Sequence, residues 1–171
     1  MVMIMGEWLS RKNTRLQGYD YNAPGAYFLT ICTENRRCLL SRIVGTGVPD
    51  GPKIELLPCG KIAAKHITQL NVFYDNISVE SYVIMPNHVH ILLLVKEQGL
   101  PGTPASTLQN SIVSRFISTF KRFCNKEYGK NIWQSRSYDH VIRDQADFDE
   151  HLQYIFENPF GWQKDEFYSE E

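Results

Sequence analysis

The sequence predicts an α+β domain: an antiparallel sheet laid out as a split βαβ repeat, with its helices on one side and a further helix at the C-terminal end. Three observations carry this prediction. Four runs rich in aromatic and β-branched residues are bounded by turn residues. Two longer segments between them repeat apolar residues at helical spacing. The length, 171 residues, suits one domain with a sizeable core and is short for two.

Taken in order, AYFLTICT (26–33) reads as the first strand. GTGVPDGPK (45–53) is rich in turn residues, and a short strand over 53–57 follows it. GKIAAKHITQLNVF (60–73) places Ile62, Ala63, Ile67 and Leu70 on one helical face. A second main strand covers 77–85. Pro86-Asn87 punctuates the chain and 88–95 is the third strand, so the two form an antiparallel hairpin. GLPGTP (99–104) is a flexible connection. A long helix is expected over 106–128, with Ile112, Val113, Phe116, Ile117, Phe120 and Phe123 on one side. SYDHVIR (137–143) is the fourth strand. The last helix runs from Asp144, a natural N-cap, to Asn158, where Pro159 stops it. The order β-α-β-β-α-β plus a helix is that of a ferredoxin-like sheet, whose free face commonly receives single-stranded nucleic acid.

Composition is that of an ordinary globular protein, 43% hydrophobic and 22% charged. No apolar run is long enough to span a bilayer. MVMIMGEWLSRKN has its charges after the apolar start and no cleavage site, so it reads as a loose end and not an export signal. Cys32, Cys38, Cys59 and Cys124 form no CxxC pair and are expected as reduced thiols of a cytoplasmic protein. Net charge is only −1, but it is unevenly spread. Residues 113–143 carry seven Lys or Arg against two acids, and residues 144–171 carry nine acids against Lys164. The basic block could follow a phosphate backbone or be the solvated face of a helix.

The residues with chemistry to offer lie in YVIMPNHVHILLLV (82–95). In a strand, positions i and i+2 share a face, so His88 and His90 sit side by side while Val89 and Ile91 point to the core. Two imidazoles so placed can share a metal ion or a phosphate. In HLQYIFENPF (151–160), Tyr154 and Asn158 are four apart and share a helical face. A phenol can attack phosphorus reversibly, and an amide oxygen is a hard ligand for Mg²⁺ or Mn²⁺. Taken singly, Tyr154 could be core and Asn158 a helix cap. Asn87 shapes the turn. His66 and His151 are expected at the surface. Asp139 could orient a neighbouring group or cap.

PNHVHIL, together with WQSRSYDHVIRDQADFDEHLQYIFENPFGW, resembles the single-domain tyrosine transposases of the HUH nuclease superfamily, in particular the REP-associated tyrosine transposases. GYDYNAPGAYFLTICTENR resembles the same family, so the likeness runs from about Arg15 to Trp162. The resemblance implies one transposase domain over 1–171, with a core of about 15–162 and a peripheral N-terminal end and acidic tail. It implies that His88 and His90 bind a divalent metal, Mg²⁺ or Mn²⁺, that Asn158 completes the metal shell, and that Tyr154 is the nucleophile. The implied substrate is single-stranded DNA with a hairpin, cut and rejoined through a 5′-phosphotyrosyl link with no nucleotide cofactor. Arg115, Lys121, Arg122 and Arg136 are candidate phosphate contacts, Trp133 a candidate base contact, and His140 a substrate contact if it shares the histidine face. A monomer is expected, with a homodimer as the alternative. Two other functions fit the same fold. One is a non-catalytic single-stranded nucleic-acid-binding module. The other is a small metal-dependent hydrolase, against which stands the lack of an acid beside the histidine motif.

Overall fold

The computed structural model describes residues 16–45, 49–97 and 111–169. The N-terminal stretch and the expected helical residues 106–110 lie outside these.

The strands are β1 (Gly25–Cys32), β2 (Ser41–Val44), β3 (Lys53–Leu56), β4 (Ile77–Ile84), β5 (His88–Val95) and β6 (Tyr138–Val141). The helices are α1 (Pro58–Phe73), α2 (Ile112–Tyr128) and α3 (Gln145–Gly161). The main sheet has the order β4-β5-β1-β6, antiparallel throughout. This is the expected split βαβ sheet. The β4–β5 hairpin turns at Pro86-Asn87, closed by the Met85 amide donating to the His88 carbonyl at 2.9 Å.

Each helix starts where its sequence supplies a start. α1 opens on Pro58, whose missing N–H costs nothing in a first turn. Ser111 caps α2 by accepting from the Ser114 amide at 3.2 Å, and Gly129, at φ +88°, ends it in the left-handed conformation. Asp144 caps α3 through the Asp147 amide at 2.9 Å. The α1 and α2 faces pack on one side of the sheet against Tyr27, Leu29, Ile31, Val89, Ile91, Leu93 and Val95. Gly60 is required there, because a Cβ would overlap the Leu40 carbonyl oxygen.

Three expectations are corrected. A second hairpin, β2–β3, stands between β1 and α1, and its first strand was not anticipated. Phe123 is 37% exposed beneath the Arg122 guanidinium, and Cys124 takes the core position instead, because helical spacing from Phe120 favours i+4 there. α3 does not stop at Asn158 but continues through Pro159 to Gly161. The proline removes one hydrogen bond, and packing of Ile155 below and Trp162 beyond holds the turn together.

α3 crosses the sheet face opposite α1 and α2. Phe28, Val83, Met85 and Leu92 of that face pack with Ile155 and Trp162, with Phe148 and Leu152 at the margin. The face expected to be an open platform is therefore covered, and the histidines lie beneath the cover.

Candidate active site

β5 alternates its side chains between the two faces, and the face bearing His88 and His90 also carries Thr30 and Phe28 of β1. Thr30 stands directly opposite His90 in the ladder. Its Oγ1 lies 2.8 Å from His90 Nδ1. His88 Nδ1 lies 2.9 Å from Asn87 Oδ1. The orientation of the Asn87 amide is fixed by its Nδ2, which donates to the Phe167 carbonyl at 2.7 Å and the Arg36 carbonyl at 3.2 Å. Its oxygen must then accept, so His88 carries its proton on Nδ1 and a lone pair on Nε2. The Thr30 contact allows His90 the same tautomer.

Both Nε2 atoms are buried and have no partner in the protein. The ring centroids are 4.5 Å apart. Burial, with the Arg36 charge adding to it, pushes the His88 pKa down to about 3. Burial and the charges of His88 and His151 push His90 well below its usual value. The pair is neutral at physiological pH. It therefore suits a metal ion, which needs lone pairs, and not a phosphate, which needs positive charge.

α3 lays two further groups beside the pair. The Tyr154 ring is 5.2 Å from His90 and 5.9 Å from Phe28, and it is 40% exposed. Burial raises the phenol pKa, the Asp165 charge raises it further, and a hydrogen bond from Asn158 opposes both. Asn158 is buried, and its Oδ1 has no partner. Its role is thus not that of an exposed cap. The orphaned amide oxygen and the two orphaned imidazole nitrogens are the donor set a hard or borderline divalent cation takes.

The C-terminal turn closes over this group. The Phe167 ring is 4.8 Å from His88 and is itself buried. Arg36 donates from Nη1 to the Glu166 carbonyl at 3.0 Å and lies 5.0 Å over the Phe167 ring. The Asp165 carboxylate comes with the turn, and one ligand atom from each of His88, His90 and Asp165 lies within 4.8 Å of the others. Residues of the acidic end expected as peripheral thus pack onto the histidine pair. Beside them a cleft of about 820 Å³ is lined by Tyr154, Glu157, Asn158, Phe160, Lys164 and Asp165, among others.

No protein-family model matches the chain. An uncharacterised protein of Haemophilus influenzae is 29% identical over 173 residues, covering 92% of this chain and 93% of that one. The REP-associated tyrosine transposase of Escherichia coli is 27% identical over 146 residues, covering 84% of this chain and 73% of that one. A solved REP-associated tyrosine transposase bound to a REP hairpin superposes with a TM-score of 0.59 at 22% identity, over 85% of this chain and 73% of that one. This chain is similar to the REP-associated tyrosine transposases. The superposition shows that the fold is shared with that transposase.

Not every residue singled out in the sequence reaches the site. α2, which carries Arg115, Lys121 and Arg122, packs on the sheet face opposite the histidines. Lys121 is a structural tie, donating to the Gln134 carbonyl at 2.8 Å and the Arg136 carbonyl at 3.0 Å. Trp133 is core, 1% exposed and 5.2 Å from Phe120, and offers no face to a base. Arg136 is exposed just before β6. His140 pairs opposite Phe28 and so does share the histidine face. There it bonds Asp147 at 2.9 Å and stacks on His151 at 4.7 Å. His151 is not at the surface but half-buried between His140 and Phe28. His66 is likewise buried, bonded to Glu127 of α2 at 2.8 Å. Asp139 pairs opposite Leu29, which turns it to the face that α1 and α2 cover.

Sequence reasoning missed Thr30 and Phe167 beside the histidines, and also the part played by three further groups. Asn87 orients His88. Arg36 sits at the mouth in an uncommon left-handed conformation, φ +52°. Asp165 reaches the pair from more than one helix away. Only Asn87, a polar residue next to the motif, carried a local signal.

Proposed function

We propose that this chain is a metal-dependent tyrosine transposase that cleaves and rejoins hairpin-bearing single-stranded DNA through a 5′-phosphotyrosyl intermediate. One observation carries the reading: Tyr154 stands beside two buried imidazoles whose Nε2 lone pairs have no partner in the protein. A core tyrosine needs no such neighbours. The relationship to transposases, one of them bound to a REP hairpin, supports the substrate class.

His88, His90 and Asn158 would hold Mg²⁺ or Mn²⁺. The ion supplies Lewis-acid polarisation of the scissile phosphate. The protein does the rest. Asn87 keeps His88 in the tautomer that presents Nε2, and the Thr30 hydroxyl can accept from His90 Nδ1–H in the same tautomer. The Asn158 amide holds the Tyr154 oxygen and favours its anionic form. Tyr154 gives up its proton and attacks phosphorus. The bond to the 3′ oxygen breaks, that oxygen takes a proton, and the phosphate stays on the tyrosine through its 5′ side. Attack by a DNA 3′-hydroxyl runs the step in reverse, with no net loss of phosphodiester bonds. Phe160 and Lys164 line the cleft beside Tyr154 and are placed to meet the strand.

A small metal hydrolase is kept as a second reading because Asp165 supplies the acid that the sequence does not place beside the histidines. The test is incubation with hairpin-bearing single strands and Mg²⁺ or Mn²⁺, followed by a denaturing gel. A protein–DNA adduct abolished by chelator and by Tyr154→Phe is expected. Cleavage without an adduct would transfer the assignment to the hydrolase. Binding without cleavage over several hairpins and both ions would leave a binding module.

A further inference from the structure

His88, His90 and Asn158 are all neutral ligands. A dication held by them alone gains no compensating charge, whereas sites for Mg²⁺ and Mn²⁺ normally include at least one carboxylate. Asp165 is the acidic side chain that the fold brings to the pair. Its place is set by the backbone on both sides. The Asp165 amide donates to the Trp162 carbonyl at 3.1 Å, and the Tyr168 amide donates to the Asp165 carbonyl at 3.0 Å. Its Oδ1 accepts from the Phe167 amide at 2.7 Å, which fixes the carboxylate plane. The Asn158 amide also lies beside the carboxylate and favours its charged form, so the ligand candidates are neighbours.

A second histidine–carboxylate cluster in the same molecule makes the contrast. Asp147 lies between His140 and His151, with ligand atoms equally close together. Yet its oxygens accept from His140 Nε2 and from the Arg143 amide, and His151 Nδ1 is held by the Asp147 carbonyl. That cluster is a helix cap with its bonds made. At His88 and His90 the Nε2 atoms are buried and unmatched.

We propose that Asp165 is the carboxylate ligand of the cation held by His88 and His90, so that the C-terminal turn is part of the metal centre. This rests on the metal-site reading above, and the experiment separates the two. Binding of Mn²⁺ to the full chain is followed by loss of the free-ion paramagnetic resonance signal. Asp165→Asn keeps the oxygen that caps Phe167 and removes the charge. Its Mn²⁺ affinity is expected to fall about 10- to 100-fold. Glu166→Gln, the exposed acid next to it, is expected to stay within about twofold. His88→Ala should bind more weakly than any of these. Asp165→Asn binding like wild type while His88→Ala fails would overturn the proposal and leave the metal site intact. Wild-type affinity in His88→Ala would overturn both. Should Asp165→Asn lower the melting temperature of the metal-free protein, anomalous scattering from Mn²⁺-soaked wild-type crystals decides. A peak within about 2.0–2.6 Å of an Asp165 oxygen is expected, and a peak on the histidines beyond bonding distance of Asp165 would refute the assignment.

Discussion

Thr30 never touches substrate, yet its replacement by valine should weaken metal binding. The two side chains have nearly the same shape, so strand packing is preserved and only the hydroxyl is lost. That hydroxyl is 2.8 Å from His90 Nδ1 in a fully buried setting. Without it, an Nδ1–H is left unsatisfied, at a cost of about 1–3 kcal/mol. The imidazole can escape part of that cost by moving its proton to Nε2, which blocks the lone pair a metal needs. That escape is open only to the metal-free state and so favours it. Partners of this kind are worth about 10- to 100-fold in metal affinity, or about 1.4–2.8 kcal/mol. Mn²⁺ titration of Thr30→Val and wild type measures the ratio, and urea unfolding of the metal-free proteins measures the stability cost. An unchanged affinity would refute the claim that the Thr30 hydroxyl supports the metal-binding tautomer of His90. Thr30→Ser, which keeps the hydroxyl, should restore most of the affinity.

Other perturbations test other links. Because His88 titrates near 3 in the folded chain and near 6.5 when unfolded, stability is complete above about pH 6.5 and falls as pH drops toward 3. Each such histidine contributes a slope of about 1.4 kcal/mol per pH unit in that window, and His88→Gln should flatten the urea-derived profile; a profile as steep as wild type contradicts the neutral buried state. Gly60→Ala, by forcing a methyl onto the Leu40 carbonyl, should cost at least about 2 kcal/mol in the same assay. Truncation after Glu166 removes the Phe167 amide that fixes the Asp165 carboxylate and the Phe167 carbonyl that holds Asn87, and should slow DNA cleavage; faster cleavage would mean that the Phe167 ring obstructs the site more than the turn supports it.

The sheet was legible because its strands obey simple periods. His88–Val95 is an apolar run interrupted only by His88 and His90 and buried almost throughout, and the Pro86-Asn87 break announces the hairpin. β2 was not legible: SRIV is four residues long and gains its place by pairing with β3 and by the Ser41 hydroxyl bonding the Ile84 carbonyl at 2.9 Å. Pro159 pointed to a helix end that tertiary packing of Ile155 and Trp162 overrides. At the site, the strand and helix periods were enough to place His88 beside His90 and Tyr154 beside Asn158. Nothing local could bring in Asp165 or Phe167, because their positions depend on how the chain returns after α3. The basic residues misled for a related reason. Charge along the sequence does not say on which side of a sheet a helix packs, and α2 packs on the side away from the histidines.

The most direct test of the central claim is where the DNA becomes attached. The purified chain would be incubated with a hairpin-bearing single strand and Mn²⁺, digested with nuclease and protease, and the peptides read by mass spectrometry. A nucleotide remnant on the Tyr154 side chain, absent when His88 or His90 is replaced by alanine, is the predicted result. Strand cleavage with every tyrosine unmodified, and undiminished in Tyr154→Phe, would show that water attacks the phosphate and would contradict the account.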